Sequence, residues 1–160
     1  MMISFSQESN CFNYRIAGVA VDGDRVLLHR AEHEPFWSLP GGRAEFGETA
    51  DATLRREMRE ELGVEVEVVR LLWFVENFFT YSGKRYHEIA LYFLMRLPDG
   101  CKLLSNPGPF RGEEAGTPLI FQWFTRMPEA LSDPPLLPSF LQTALQDLPE
   151  SIGRVIHYHD

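Results

Sequence analysis

The stretch from Gly42 to Val64, GRAEFGETADATLRREMREELGV, carries the strongest structural signal in the 160-residue chain. Residues 49–62 predict a helix, because Thr49 can cap its N-terminus and Gly63 is placed to end it at the C′ position. Apolar side chains recur every four residues along this helix, as expected for a face that packs inward: Leu54, Met58 and Leu62. We therefore expect an amphipathic helix directly after a glycine-containing approach.

The polar face of this helix carries three carboxylates. Glu57, Glu60 and Glu61 stand at i, i+3 and i+4 and so share one face. Like charges at this spacing cost about a few tenths of a kcal/mol per pair, and a divalent cation would reverse that cost. The alternative is a solvated face on which Arg56 pairs with Glu60. The preceding Pro-Gly-Gly turn favours the cation, because glycines let the backbone approach a metal or a phosphate closely. Oxygen donors without His or Cys suit Mg²⁺ better than zinc.

Two β-rich runs precede the helix. Residues 14–21 and 25–29 are separated by Asp22-Gly23-Asp24, which predicts an antiparallel hairpin. Phe36-Trp37-Ser38-Leu39 predicts a short strand that stops at Pro40-Gly41-Gly42.

The chain after the helix continues with alternating apolar residues. Residues 64–79 and 85–96 predict two long strands joined by a turn at Ser82-Gly83. Residues 103–117 predict a long loop, residues 119–124 a last strand, and residues 138–148 a C-terminal helix. These elements favour an α/β or α+β layer structure, folded as one domain over residues 1–160 with residues 1–12 as a loose N-terminal arm.

Composition excludes several classes of protein. The formal net charge of −8 argues against a protein that coats nucleic acid, so we expect no DNA partner. The longest apolar run, residues 89–95, is far shorter than the roughly 20 residues of a membrane span, and the first residues do not resemble a secretory signal. We therefore expect a cytoplasmic protein without a membrane partner. Cys11 and Cys101 are expected to be free thiols.

The segment from Gly42 to Val64 resembles the Nudix box, Gx5Ex7REUxEExGU, in which U is a bulky aliphatic residue. Every fixed position is filled: Gly42, Glu48, Arg56, Glu57, Met58, Glu60, Glu61, Gly63 and Val64. The resemblance implies an α/β/α sandwich around a mixed sheet. It also implies Mg²⁺- or Mn²⁺-dependent hydrolysis of a nucleoside diphosphate linked to another moiety, such as ADP-ribose, a nucleotide sugar or a nucleoside triphosphate.

The resemblance also implies roles for individual residues. Glu57 and Glu61 would be the main metal ligands, with Glu60 and the carbonyl of Gly41 in support. Structural support of the site would come from Gly42, Glu48 and Arg56, with the ion pair of Glu48 and Arg56 bracing the loop against the helix.

The position of the general base varies within the family, so it stays open between a box glutamate and a glutamate on a later loop. Glu114 is our first candidate on that loop, followed by Glu113, and Glu88 is a third candidate beside a strand.

Substrate contacts are suggested only by residue type. Aromatic rings can stack on bases, and arginines can hold phosphate or ribose oxygens. The candidates are Arg30, Arg43, Phe36, Trp37 and Arg85.

Two other functions stay open. One is a Nudix-like module that binds a nucleotide without turnover, and the other is an RNA 5′-end pyrophosphohydrolase. Similarity to the family is also compatible with a homodimer.

Overall fold

The computed structural model of the protein describes residues 1–159. The strands are β1 Ser4–Gln7, β2 Asn10–Asp22, β3 Arg25–Ala31, β4 Gly41–Arg43, β5 Glu67–Tyr81, β6 Lys84–Arg96, β7 Phe110–Glu114, β8 Thr117–Thr125 and β9 Gly153–His159. The helices are α1 Ala50–Leu62, α2 Pro128–Leu131 and α3 Leu141–Ala144, with a 3₁₀ helix at Lys102–Ser105.

Helix α1 forms where its capping residues predict it. The Thr49 hydroxyl accepts a hydrogen bond from the backbone N–H of Ala52, and Gly63 adopts a left-handed conformation (φ 67°) that ends the helix. Leu54 and Met58 are fully buried against the sheet. The helix prediction is confirmed.

The sheet is mixed, with the strand order β7-β8-β3-β2-β6-β5-β9 and with β1 and β4 both paired to β2. Strand β2 runs parallel to β6, whereas β3 pairs antiparallel with β8 and β5 pairs antiparallel with β6. Helix α1 lies over one face, and residues of α2 and α3 belong to the core on the other face. The fold is therefore mixed α/β, as expected.

The divergence of β2 from β3 positions the functional site. The predicted hairpin is antiparallel, but the two strands pair only at Val21↔Val26 and Asp22↔Arg25. Farther from the turn, β4 pairs with β2 at residues 15–17 instead. The gap between β3 and the pair of β2 and β4 opens next to α1.

Three local predictions were wrong. Residues 36–39 make only isolated bridges, at His29↔Ser38 and Trp37↔Leu136, and the strand forms instead at Gly41–Arg43, where a turn was expected. The long loop at 103–117 contains the 3₁₀ helix and β7. The C-terminal helix is reduced to the four residues of α3, which bury Leu141.

The two ends of the chain also differ from expectation. The segment expected to be a loose arm contains β1, which pairs antiparallel with β2 from Ser4↔Asn13 to Gln7↔Asn10. Strand β9 follows the strand that was expected to be the last, and it pairs in parallel with β5. Among residues 1–159, every helix is too short to cross a membrane.

Candidate active site

Two glycines bring β4 into contact with its neighbours. Gly41 has a φ of +152°, and a β-carbon there would lie 2.1 Å from the carbonyl oxygen of Ile16. A β-carbon on Gly42 would lie 2.3 Å from the Cδ of Glu57. Glycine at both positions therefore lets β4 pack between β2 and α1, with the Glu57 carboxylate directly against it.

An arginine ties the loop to the helix. Arg56 donates from Nε to Oε2 of Glu48 at 2.7 Å and from Nη2 to Oε1 of the same carboxylate at 3.0 Å. It also donates to Oε1 of Glu57 at 2.7 Å and to the carbonyl oxygen of Arg43 at 3.2 Å. The hydrogen bonds from Arg56 are the main reason why the pKa of Glu48 falls to about 2. Arg56 thus connects the loop before α1, the end of β4 and the Glu57 carboxylate.

Three carboxylates converge at the gap beside α1. Oxygen atoms of Glu57, Glu61 and Glu114 all lie within 4.8 Å of one another. Glu57 and Glu61 come from successive turns of the same helix face and are only 3% and 4% exposed, whereas Glu114 is exposed at the end of β7. Strand β7 approaches α1 closely because residue 112 is glycine: a β-carbon there would lie 2.6 Å from the carbonyl oxygen of Glu61.

Burial dominates the electrostatics of this group. It raises the pKa of Glu57 to about 7, with the Glu61 charge adding to the effect, and the pKa of Glu61 to about 8, with Glu114 adding. Burial also lowers the pKa of His29 to about 3, so this side chain is neutral although its Nδ1 lies 3.5 Å from Oε2 of Glu61. Within residues 1–159, neither oxygen of Glu61 has a hydrogen-bond partner.

These features fit a divalent cation. A buried carboxylate without hydrogen bonds is costly, and a cation shared with two other carboxylates would remove that cost. The donor set is all oxygen, which Mg²⁺ and Mn²⁺ accept readily.

Glu60 and Glu113 lie outside the three-carboxylate group. The side chain of Glu60 is 60% exposed and receives a 3.3 Å hydrogen bond from Arg56. Glu113 is exposed and directly precedes Glu114 on β7, so strand alternation directs its side chain to the opposite face. Glu88 is buried in β6, also outside the group.

A cavity of about 620 Å³ adjoins this group through Glu114 and extends over the face of the sheet opposite α1. Glu114, His29 and Gly41 line one end of it. Five phenylalanine and tyrosine residues also contribute to its walls: Phe36, Phe79, Tyr81, Tyr86 and Tyr92. This volume is within the range of small-molecule sites.

The proposed substrate contacts divide into two sets. Phe36 and Arg43 line the cavity. Trp37 does not, because it is 5% exposed and packs in the core with its ring 4.8 Å from that of Phe124. Arg30 lies over the Trp37 ring at 5.1 Å, and Arg85 is exposed at the start of β6, so neither lines the cavity.

Sequence reasoning missed Arg15, which lines the cavity from β2. Its Nη2 donates a 2.7 Å hydrogen bond to the carbonyl oxygen of Leu39. A signal was available, since Arg15 is the one charged residue in the apolar run YRIAGVAV at 14–21. A cation in a strand that is otherwise buried is a candidate for anion binding.

Comparisons with known proteins identify the family of the chain. The NUDIX domain profile matches residues 13–133. A Mycobacterium tuberculosis protein named as the mutator protein MutT4 is 41% identical over 87 residues, covering 50% of this chain and 35% of that protein. The ADP-ribose pyrophosphatase of Methanocaldococcus jannaschii is 33% identical over 95 residues, covering 54% of this chain and 55% of its own length. The matched region thus spans about a third to a half of these relatives.

Solved structures show the same fold at low sequence identity. A MutT protein from Bacillus halodurans superposes with a TM-score of 0.60 at 20% identity, covering 91% of this chain and 90% of its own. An ADP-ribose pyrophosphatase from Streptococcus suis gives 0.57 at 18% identity, covering 90% and 98%. Since the NUDIX profile matches more than half of its length, the chain belongs to the Nudix family.

Proposed function

We propose that this protein is a metal-dependent hydrolase of a phosphoric anhydride bond. Its substrate would be a nucleoside diphosphate linked to another moiety, such as ADP-ribose, a nucleotide sugar or a nucleoside triphosphate. The observation that carries the proposal is the group of Glu57, Glu61 and Glu114, with unpartnered buried oxygens on Glu61, at the end of a nucleotide-sized cavity.

The metal ligands would come from α1 and β7. Glu57 and Glu61 would hold Mg²⁺ or Mn²⁺, with Glu114 as a third carboxylate and the carbonyl of Gly41 as a further oxygen at the cavity wall. When bound, the cation would lower the pKa of a coordinated water and neutralise charge on the diphosphate. Glu60 would not be a direct ligand of this cation, because it is exposed and paired with Arg56 outside the three-carboxylate group.

The chain's own residues would orient the substrate and move the proton. Glu114 is exposed to the cavity, so that with one oxygen towards the cation its other oxygen would accept a proton from the attacking water. Arg15 would bind an oxygen of the diphosphate, since it places positive charge on the same cavity wall. Arg56 would hold Glu57 in place and favour its ionised form through its 2.7 Å hydrogen bond, against the effect of burial.

The names of two similar proteins support a nucleoside diphosphate derivative as the substrate class. The Methanocaldococcus jannaschii relative is named for ADP-ribose, and a structural neighbour is named a UDP-X diphosphatase. Both names describe cleavage of a diphosphate attached to a nucleoside. The aromatic walls of the cavity suit a base or another flat ring.

The test is product release from ADP-ribose, nucleotide sugars, nucleoside triphosphates and 5′-triphosphorylated RNA. Each is assayed with Mg²⁺, with Mn²⁺ and with chelator, and reactions in ¹⁸O-water identify the phosphorus that is attacked. We expect chelator-sensitive cleavage in which one ¹⁸O enters only one of the two products, the one that contains the attacked phosphorus. Glu61→Gln should lose turnover, whereas Glu65→Gln, an exposed residue paired with Arg59 just after the same helix, should not.

Two results would overturn the proposal. One is the absence of cleavage across the panel by folded protein that binds Mg²⁺, which would favour the nucleotide-binding module. The other is cleavage that persists at full rate in chelator.

A further inference from the structure

A row of polar side chains crosses four strands on the cavity side of the sheet. Asn13 of β2 is the register partner of Glu88 of β6, which is in turn the partner of Asn77 of β5, and Asn77 is the partner of His157 of β9. All four residues line the cavity. Asn13, Glu88 and Asn77 are only 5–6% exposed, so this polar row is built into the interior.

Hydrogen bonds orient the row towards Glu88. Nδ1 of His157 lies 2.9 Å from Oδ1 of Asn77, and its Nε2 lies 3.0 Å from the hydroxyl of Ser139. With Nδ1–H donated to Asn77, the Asn77 amide nitrogen is directed to Oε1 of Glu88 at 3.4 Å. On the other side, the Ser4 hydroxyl occupies Oδ1 of Asn13, which leaves the Asn13 amide nitrogen as a donor.

Glu88 is therefore a buried acceptor with most of its capacity unused. A carboxylate has about four lone-pair sites, and among residues 1–159 Glu88 receives a single long hydrogen bond. Because the cavity is open at this position, the missing donors would come from the bound molecule.

The position of the row along the strands indicates which part of a substrate reaches it. Arg15 and Asn13 lie two residues apart on the same face of β2, a step of about 7 Å. The next step on this face holds Tyr86 and Phe79, whose rings stack at 4.9 Å. The sheet thus presents in order a cation, a hydrogen-bond acceptor and an aromatic pair, which matches the order phosphate, sugar and base.

We propose that the Glu88 carboxylate, flanked by the amides of Asn13 and Asn77, binds two adjacent hydroxyls of a sugar ring in the substrate. A carboxylate accepts two neighbouring hydroxyl donors at once, and the asparagines add a donor on each side. The diol comes either from the ribose of the nucleoside or from the sugar attached to its diphosphate. This inference rests on the proposed function and narrows the substrate to molecules that carry such a diol.

The first test needs no variant. The kcat/KM values of the wild-type protein are compared for ATP and dATP, for GTP and dGTP, and for ADP-ribose, 2′-deoxy-ADP-ribose (lacking the adenosine 2′-hydroxyl) and ADP-glucose. Loss of one charge-assisted hydrogen bond should reduce kcat/KM by about ten- to a hundredfold. A preference for the ribonucleotide over the deoxyribonucleotide identifies the nucleoside ribose as the source of the diol. A preference for ADP-ribose or ADP-glucose over ATP, without sensitivity to the 2′-hydroxyl, identifies the attached sugar instead.

The second test removes the charge of Glu88. Glu88→Gln should raise KM for the diol-containing substrate by a similar factor and abolish the discrimination, while kcat and Mg²⁺-dependent thermal stabilisation change little. Glu76→Gln is the matched control, since Glu76 precedes Asn77 on β5, faces the opposite side and pairs with Arg154. It should keep the wild-type selectivity.

Failure of this inference is distinguishable from failure of the proposed function. If the protein cleaves phosphoric anhydrides but the wild-type and Glu88→Gln proteins show equal tolerance for missing hydroxyls, the diol site is wrong and the hydrolase stands. If Glu88→Gln changes the preference between guanine and adenine instead, the row binds the base and the diol assignment is overturned. If nothing is cleaved, calorimetric binding of AMP against dAMP and of ADP-ribose against ADP decides the diol site independently, and equal affinities within both pairs overturn it.

Discussion

Gly42 lies so close to Glu57 that a β-carbon on the glycine would stand 2.5 Å from both oxygens of the carboxylate. Residue 42 must therefore be glycine because the Glu57 carboxylate fills the space of a side chain. A turn does not impose the glycine, since the residue is part of β4. Strand β4 and helix α1 thus pack in direct contact at Gly42 and Glu57.

Gly42→Ala should therefore displace the Glu57 carboxylate and weaken metal binding at least tenfold, with a corresponding loss of turnover. Gly18→Ala is a suitable control, because its β-carbon would lie 2.3 Å from the sulfur of Met95 in the core instead. Both variants should lose stability, but only Gly42→Ala should lose the rise in melting temperature on adding Mg²⁺. Equal Mg²⁺ responses in the two variants would contradict this role of Gly42.

Glu61 should destabilise the metal-free protein at alkaline pH. Its pKa of about 8 in the folded protein lies above the ordinary value of 4.5, so its favourable contribution is complete below about pH 4.5 and is lost as the pH rises through 8. Without metal, Glu61→Gln should therefore melt at a higher temperature than the wild type at pH 9, and the difference should shrink towards pH 5.

Metal should reverse this order. Mg²⁺ at about 100 times its dissociation constant stabilises by about 2.7 kcal/mol, or roughly 5–10 °C for a chain of this size. The wild type should gain this increment at pH 8 and Glu61→Gln should not, as measured by thermal melts with Mg²⁺ and with chelator. A full Mg²⁺ response in Glu61→Gln would remove Glu61 from the ligand set.

The neighbours Glu114 and Glu113 should differ sharply in their effect on turnover. Only Glu114 reaches the group with Glu57 and Glu61, so Glu114→Gln should reduce kcat by about 10²- to 10⁴-fold, the range for loss of a general base. Glu113→Gln should be close to wild type in steady-state kinetics. Both residues are exposed, so neither melting temperature should fall by more than about 2 °C. Reversed kinetic effects would exchange the two roles.

Local signals were sufficient for the helix but not for the third carboxylate. Thr49, Gly63 and the spacing of the glutamates all act within α1, so the sequence predicts which side chains share a face. The choice between Glu113 and Glu114 depends on β7, whose pairing Glu114↔Thr117 determines the facing of each residue. A Gly- and Pro-rich segment hides that strand from any local pattern.

The polar row was out of reach for a different reason. Asn13 and Glu88 become neighbours only through the parallel pairing of β2 with β6, which are distant in sequence. In the sequence, each looks like an ordinary polar residue near the start of a strand. Only the register of β2 against β6 shows that the two are neighbours and line one cavity. Among the other cavity residues, Arg15 could have been predicted, because a charged residue inside an apolar run is visible in the sequence.

The brace between Glu48 and Arg56 should contribute stability that depends on pH. The pKa of Glu48 is lowered from 4.5 to about 2, chiefly by hydrogen bonds from Arg56, so its contribution is complete above about pH 4.5 and fades as the pH falls towards 2. Glu48→Gln should cost about 1–2 kcal/mol of unfolding free energy at pH 7, because charge-assisted hydrogen bonds on a partly exposed pair are lost. Urea unfolding at pH 7, 5, 4 and 3 should show that the difference in unfolding free energy between wild type and variant shrinks at the lower pH values.

Glu67→Gln, which removes an exposed carboxylate paired with Arg96, should cost less than about 0.5 kcal/mol at every pH. A cost of Glu48→Gln that is the same at pH 3 and pH 7 would mean that packing, and not the charge of the brace, stabilises this loop.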